Sequence, residues 1–270
     1  MPAPAPQDSR TVARDIGKVV ASVEARIGSS RFPGKVLADI NGKPALGRLL
    51  DRLLGCRTLA DIVIATSVDP ADDAIETWAK SEGVALYRGS EDDVLQRVVD
   101  AQRSRGADTV VEITGDATLT DPAIVDLAVE TYRSNDCDVV STAWVKSYPI
   151  GIDAQVFSFA ALDGVARTIF DPPVREHVSL HFYENPERYR IINLAAPPPA
   201  REPELRLTLD YREDQTMIAA IYAALEPRHG GCFGVREVVS LLRASPDLLG
   251  STQGLAIKAV RRDTSSKPSR

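Results

Sequence analysis

The stretch 18–35, KVVASVEARIGSSRFPGK, decides the fold. Its first part, 18–23 (KVVASV), is a β-branched apolar run that suits a buried strand. Its second part, 25–35 (ARIGSSRFPGK), breaks that pattern with Gly, Ser and Pro and is read as a loop. The loop carries Arg26, Arg31 and Lys35 among Gly28, Ser29, Ser30 and Gly34. Small residues let backbone N–H groups approach an anion closely, and cations neutralise it. Three cations within ten residues match a triphosphate. The glycine spacing fits neither a Walker loop nor a GxGxxG turn. On the residues alone, a phosphate grip and a plain basic surface loop both stay open.

Outward from this stretch, strands and helices alternate. Pro44 opens a helix with Leu46, Leu49, Leu50, Leu53 and Leu54 at helical spacing. A second strand spans 61–66, and Asp69-Pro70 starts the next helix, carrying Ile75 and Trp78. A short strand at 84–86, a helix at 91–103 and a strand at 108–114 follow. Asp121-Pro122 starts another helix, and 137–142 reads as a strand. Such alternation predicts right-handed βαβ units and a mostly parallel sheet. Ligands of such sheets sit beyond the carboxyl ends of the strands. From about Tyr148 the pattern changes to short alternating strands, a Pro-rich segment at 196–200 (APPPA) and a helix bearing Arg175, Glu176 and His177. This is read as an inserted lobe, about 145–204. A strand at 205–209 and a helix at 211–225 then return. The whole predicts one domain over 17–250, a disordered leader at 1–16 and a flexible tail at 251–270.

The bulk composition narrows the function. The chain has 270 residues, 44% apolar and 26% charged, with net charge -6. That balance argues against broad nucleic-acid or anionic-membrane binding, both of which need a basic face. Cys56, Cys137 and Cys232 form neither a zinc pattern nor a disulfide framework. No apolar run has membrane-spanning length, and the N-terminus lacks a signal-peptide core. The expectation is a cytoplasmic protein.

Asp116 and Asp210 each end a predicted strand. Gly115 permits a tight turn that pushes Asp116 out at the sheet edge. Two carboxylates on neighbouring strand ends suit Mg²⁺ together with phosphate oxygens and water. The alternative is that each caps the helix that follows it. Asp214 reads as a first-turn helix acid or as support behind the site.

Arg26 to Lys35, directly after the first strand, resembles the signature loop of the sugar-acid and polysaccharide cytidylyltransferases. That group includes the CMP-Kdo synthetases and the spore-coat polysaccharide proteins. Further matches follow in order: Arg88-Gly89 with Asp93-Val94-Leu95 and Arg97, Thr114-Gly115-Asp116, and Asp121-Pro122. Then come Gly151-Ile152-Asp153, Arg175-Glu176-His177, and Leu207-Thr208-Leu209-Asp210 with Asp214. The resemblance covers roughly 18–245. It implies a three-layer α/β/α, Rossmann-like nucleotidyltransferase fold of the nucleotide-diphospho-sugar transferase type. It implies a homodimer that moves CMP from CTP to a small acceptor and releases pyrophosphate. Arg26 and Lys35 would hold the triphosphate as catalytic groups, beside Ala25, Gly28, Ser29, Ser30 and Arg31. Thr66, Arg88, Gly89 and Asp93 would help form the base pocket. Asp116 and Asp210 would bind Mg²⁺. Asp153, Gln155, Arg175, Glu176 and His177 would face the acceptor, a sugar acid, sugar phosphate or phosphonate.

Each of these has a plainer reading. Asp93 suits a helix N-terminus, Arg97 a surface salt bridge, and Arg175 a salt bridge to Glu176. His177 and His181 share a helix face at i,i+4, without a third metal ligand of matching spacing. Four positions depart from the family pattern. Glu24 stands where an amide is common, and Glu112 replaces a frequent Arg. Ala117-Thr118 replaces Cys-Pro, and Gln155 stands where Glu is common. These changes leave the phosphate loop intact and bear on the acceptor. Two other functions remain: a glycosyltransferase, for which Asp136-Cys137-Asp138 has Asp-x-Asp spacing, and a non-catalytic nucleotide-binding relative.

Overall fold

The computed structural model describes residues 13–250, 252, 254 and 255. Most of the expected leader and tail therefore lies outside the described residues. Within the leader, Arg14 donates to the carbonyls of Tyr132 and Cys137 and lies over the Tyr132 ring, so the ordered chain is anchored before residue 17.

Seven strands form one sheet: β1 (Val19–Glu24), β2 (Asp61–Ser67), β3 (Ala85–Gly89), β4 (Thr109–Thr114), β5 (Val139–Ser141), β6 (Gln155–Ser158) and β7 (Ile191–Asn193). Their order is β3-β2-β1-β4-β6-β5-β7. All pairings are parallel except those of β6 with β4 and β5. The helices are α1 (Ala45–Leu54), α2 (Asp73–Glu82), α3 (Val94–Ser104), α4 (Pro122–Ser134), α5 (Phe159–Thr168), α6 (Pro172–Glu176), α7 (Leu180–Glu184), α8 (Arg212–His229) and α9 (Val235–Ala244). Side chains of a strand alternate between faces, so each strand feeds two cores. Ala21, Val23, Val111 and Ile113 meet α1, α2, α4, α8 and α9 on one face. Val20 and Val110 meet α3, α5, α6 and α7 on the other. This is the expected three-layer α/β fold.

Two expectations need correction. The segment read as a lobe packed against the sheet instead contributes strands to it: β6 inserts between β4 and β5, and β7 extends the edge. The segment 205–209 is not a sheet strand. It makes one bridge, Arg206 with Ile150, and its remaining amides reach loops. Its alternation of buried residues is real, because Leu207 and Leu209 are fully buried, but it packs along a loop instead of a strand.

One cation locks the helical layer. Arg52 of α1 is wholly buried and donates to the carbonyls of Thr120, Gly231 and Phe233, with its guanidinium over the Phe233 ring. It ties α1 to the turns before α4 and α9. We expect Arg52→Met, which leaves three carbonyls without this donor, to lower stability by about 3 kcal/mol. A urea midpoint equal to wild type would show that the ties contribute nothing, and nucleotide affinity should be unchanged either way.

Candidate active site

The loop after β1 is pinned from below. Phe32 and Val36 are buried beneath it. The Gly34 and Ser29 amides both donate to the Ile27 carbonyl, at 3.0 and 2.7 Å. Gly34 has φ 75°, a left-handed conformation that favours glycine and opens the short 3₁₀ turn carrying Lys35. Asp72, almost fully buried, accepts from the Ile27 amide at 2.7 Å and from the Ser67 amide and hydroxyl. One carboxylate thus fixes the start of the loop to the end of β2. The sequence reading missed Asp72, although an acid just after Asp69-Pro70 at a helix start was the available signal.

The opposite wall carries the two acids. The Gly115 amide donates to the Glu24 carbonyl at 2.8 Å, and a Cβ at position 115 would lie 2.6 Å from that oxygen. Glycine is therefore required for the turn that brings Asp116 beside the end of β1. The Leu209 amide donates to the Asp116 carbonyl at 3.0 Å, which sets Asp210 next to Asp116. Asp210 is oriented in turn by Asp214, wholly buried, whose carboxylate accepts from the Asp210 and Tyr211 amides at 2.8 Å each and pairs with Arg206. Neither Asp116 nor Asp210 caps a helix, because Asp121 caps α4 and Asp214 closes the first turn of α8.

Lys35 Nζ sits between the acids, 2.6 Å from Asp116 Oδ2 and 2.9 Å from Asp210 Oδ1. Arg31 Nη2 is 2.6 Å from the same Asp210 oxygen. Burial pulls the Lys35 pKa down, but Asp116 and Asp210 outweigh it and hold it above the ordinary lysine value. Burial raises Asp210, but Lys35 and Arg31 outweigh it and the net shift is downward. Two carboxylate oxygens thus converge on the position of one small cation. That donor set fits Mg²⁺, which takes one or two carboxylates and fills its remaining positions with phosphate oxygens and water. Among the described residues no cluster of three or more His, Cys, Asp or Glu ligands occurs, so phosphate and water would complete the shell.

These groups line a cavity of about 570 Å³ with Ala25, Arg26, Gly28, Ser29 and Ser30 along one rim. Arg26 reaches Glu91 only loosely, at 3.6 Å. Glu176 and His177 also line the cavity. A second cavity of about 580 Å³, beside Val239 and Leu249, holds none of the expected site residues.

The other expected residues are placed differently. Arg88 is bound to Asp73 and Glu76 at 2.6 and 2.7 Å and to the Ser67 and Asp69 carbonyls, bracing α2. Thr66 follows Ala65, the register partner of Glu24, so its side chain points to the opposite face. Asp93 caps α3, accepting from the Gln96 amide at 3.0 Å, and pairs with Arg175. Arg175 therefore bridges α6 to α3; its other donors reach the Ala166 and Ile169 carbonyls. Its partner is Asp93, whereas the plainer reading had Glu176. Gln155 opens β6, in register with Glu112 and Ser141, and Asp153 lies just before it. Glu112 is buried against the Ser179 hydroxyl; burial raises its carboxyl to about 7, with Ser179 opposing and Asp153 adding. His177 ends α6 in an extended conformation, so it shares no helix face with His181. His181 packs against Phe182 and Tyr189. Asp136 and Asp138 pair with Arg190 before β5, away from the carboxyl ends of the parallel strands, so their Asp-x-Asp spacing serves a surface ion pair.

Comparison with known proteins bears on the family and the fold. A family model described as cytidylyltransferase matches residues 20–227. An uncharacterised protein of Methanocaldococcus jannaschii is 33% identical over 246 residues, covering 90% of this chain and 98% of the relative. The spore coat polysaccharide biosynthesis protein SpsF of Bacillus subtilis is 30% identical over 230 residues, covering 83% and 94%. A cytidylyltransferase structure from Leptospira borgpetersenii superposes with a TM-score of 0.81 at 27% identity, covering 90% of this chain and 99% of that one. No helix among the described residues is long and apolar enough to cross a membrane.

The ion-pair geometry sets a pH dependence. The depressed Asp210 carboxyl stabilises the fold above the ordinary carboxylate range, and that stabilisation is lost as pH falls through its lowered value. In Lys35→Met the depression is relieved in part. We expect the melting temperature of that variant to fall less steeply than wild type as the ligand-free protein is acidified below the carboxylate range. Parallel acid limbs for the two proteins would refute the pairing.

Proposed function

This chain belongs to the cytidylyltransferase family, and we propose that it moves CMP from CTP onto a small sugar-derived acceptor, a sugar acid, sugar phosphate or phosphonate, with release of pyrophosphate. The observation that carries this reading is the meeting of Lys35 with both Asp116 and Asp210 at the mouth of the Gly/Ser loop. That arrangement joins a cationic phosphate grip to an acid pair, one acid from the turn after β4 and one from the segment before α8. Its sugar-derived acceptor follows from the family resemblance and from the polysaccharide pathway named for the Bacillus relative.

The residues divide the work as follows. Backbone amides of Gly28 and Ser30, with Arg26, Arg31 and Lys35, hold the β- and γ-phosphates. Asp116 and Asp210 would hold Mg²⁺, which when bound neutralises charge on the α-phosphate. An acceptor oxygen approaches the α-phosphorus in line; the new P–O bond forms as the α–β bridge breaks. Lys35 and Arg26 stabilise the departing pyrophosphate. Catalysis is positioning plus electrostatics, with no covalent intermediate on the protein. Asp153, Gln155, Glu176 and His177 are assigned to the acceptor side, while Arg175 holds α6 in place through Asp93. The reading also carries a homodimer, taken from the family resemblance, and the cytoplasmic location expected from the sequence.

The test is a pyrophosphate-release screen that crosses the four common triphosphates with sugar acids, sugar phosphates and phosphonates, with and without Mg²⁺. Release should require CTP, an acceptor and the metal. Lys35→Ala and Asp116→Ala should each lose at least about a hundredfold in kcat while remaining folded by circular dichroism. A folded Lys35→Ala enzyme at near wild-type rate would remove the lysine from the reaction. Nucleotide-sugar turnover without pyrophosphate would instead mark a glycosyltransferase.

A further inference from the structure

Arg88 and Asp93 are engaged with the protein itself, which leaves base recognition to other side chains lining the cavity. Two remain there with unmet hydrogen-bonding capacity. Glu24 ends β1 and lines the cavity, and its Oε1 is buried without a partner. Arg97, on α3, lines the same cavity and is 2% exposed. Its Nη1 donates to the Ser90 and Glu91 carbonyls, which fixes the guanidinium, but its Nε is buried without a partner. Gly89 allows this packing: a Cβ there would lie 3.1 Å from Arg97 Cγ. Among the described residues Glu24 and Arg97 form no ion pair with each other. An unpaired carboxyl oxygen and an unpaired guanidinium N–H in one buried wall are each costly unless a ligand group meets them.

On the reading that this cavity binds a nucleoside triphosphate, we infer that Glu24 and Arg97 read the Watson–Crick edge of the base. Glu24 accepts from an exocyclic amine, and Arg97 Nε donates to the ring nitrogen or carbonyl beside it. Cytosine offers that order, with the N4 amine next to the N3 and O2 acceptors. Uracil and guanine present a carbonyl and a ring N–H instead, which sets acceptor against acceptor and donor against donor. Adenine shares the amine and ring nitrogen on a larger ring, and the family model favours the pyrimidine. Val94, one turn before Arg97, adds an apolar surface to the same wall. Burial first, and then Glu112, raise the Glu24 carboxyl well above its ordinary value, with Arg97 opposing. The discrimination belongs to the carboxylate form, which only accepts; a neutral carboxyl accepts the amine through its carbonyl oxygen but also donates to a base carbonyl.

Calorimetric titration of the full chain, with Mg²⁺, tests this using CTP, UTP, ATP, GTP and a CTP analogue that lacks the 4-amino group. Wild type should bind CTP most tightly and the analogue about tenfold or more weakly. Glu24→Leu should bring CTP down to the level of the analogue, and Glu24→Gln, which keeps an accepting oxygen, should rescue most of the loss. Arg97→Lys should weaken CTP more than UTP. The wild-type comparison of CTP with its analogue needs no folded variant. Equal affinity for those two ligands, or a preference for UTP, GTP or ATP, overturns the inference and leaves the transferase reading standing. Failure to bind any triphosphate overturns both.

Discussion

The contact of one ammonium group with two carboxylates holds the site together. Lys35 comes from the loop after β1, Asp116 from the turn after β4, and Asp210 from the segment before α8. These three pieces lie far apart in the chain and share no backbone ladder at this point. Without the central cation, two acids would face each other across a partly buried gap, and each would resist ionisation. With it, the Asp210 carboxyl is held below its ordinary value. Burial is the largest single influence on the lysine, whose side chain is only 12% exposed, and the two acids together outweigh it. Removing one partner of such a group costs more than the group itself contributes, because the others are left uncompensated.

Backbone geometry makes that contact possible. The parallel order of β1 and β4 places Glu24 and Thr114 opposite each other at their carboxyl ends. Every turn leaving that edge points into the same space. Gly115 lets one turn pass within hydrogen-bonding distance of the Glu24 carbonyl. Asp72 fixes the other turn by its first amide, and Asp214 orients Asp210 by two amides. These buried acids do not face the ligand; they spend their lone pairs on backbone N–H groups that would otherwise be unmet.

Much of this was legible in the sequence. The β-branched run at 18–23 and its Gly/Ser/Arg loop gave the central strand and the site, since strand period and loop composition are local properties. Asp116 and Asp210 were also legible, because an acid just past a buried run is displayed at the edge. Arg88 and Asp93 were less so. Asp93 is at once a cap for its own helix and an ion-pair partner of Arg175, 82 residues away. Periodicity reports which side of an element is buried and says nothing about which charge from elsewhere arrives there. The segment 205–209 misled for a related reason: alternating burial needs a wall to pack on, and a loop provides one as well as a strand does. His177 shows the same limit on a smaller scale, where a helix-compatible spacing was cut by a chain that turns extended one residue too early.

Charge and shape divide the two ends of the cavity. At the phosphate end, Arg26, Arg31, Lys35 and the small-residue amides recognise charge and spacing, and every nucleoside triphosphate has these alike. Selection among triphosphates must therefore come from the base end, where a carbonyl and an amine differ only in the direction of a hydrogen bond. Direction is read only by groups that cannot turn away. The Arg97 guanidinium is held by two carbonyls while its aliphatic stem packs on Gly89, and Glu24 is the last residue of β1. A rigid, dry and half-satisfied wall of this kind discriminates better than a flexible, fully paired one, because the wrong base leaves its polar atoms unmet.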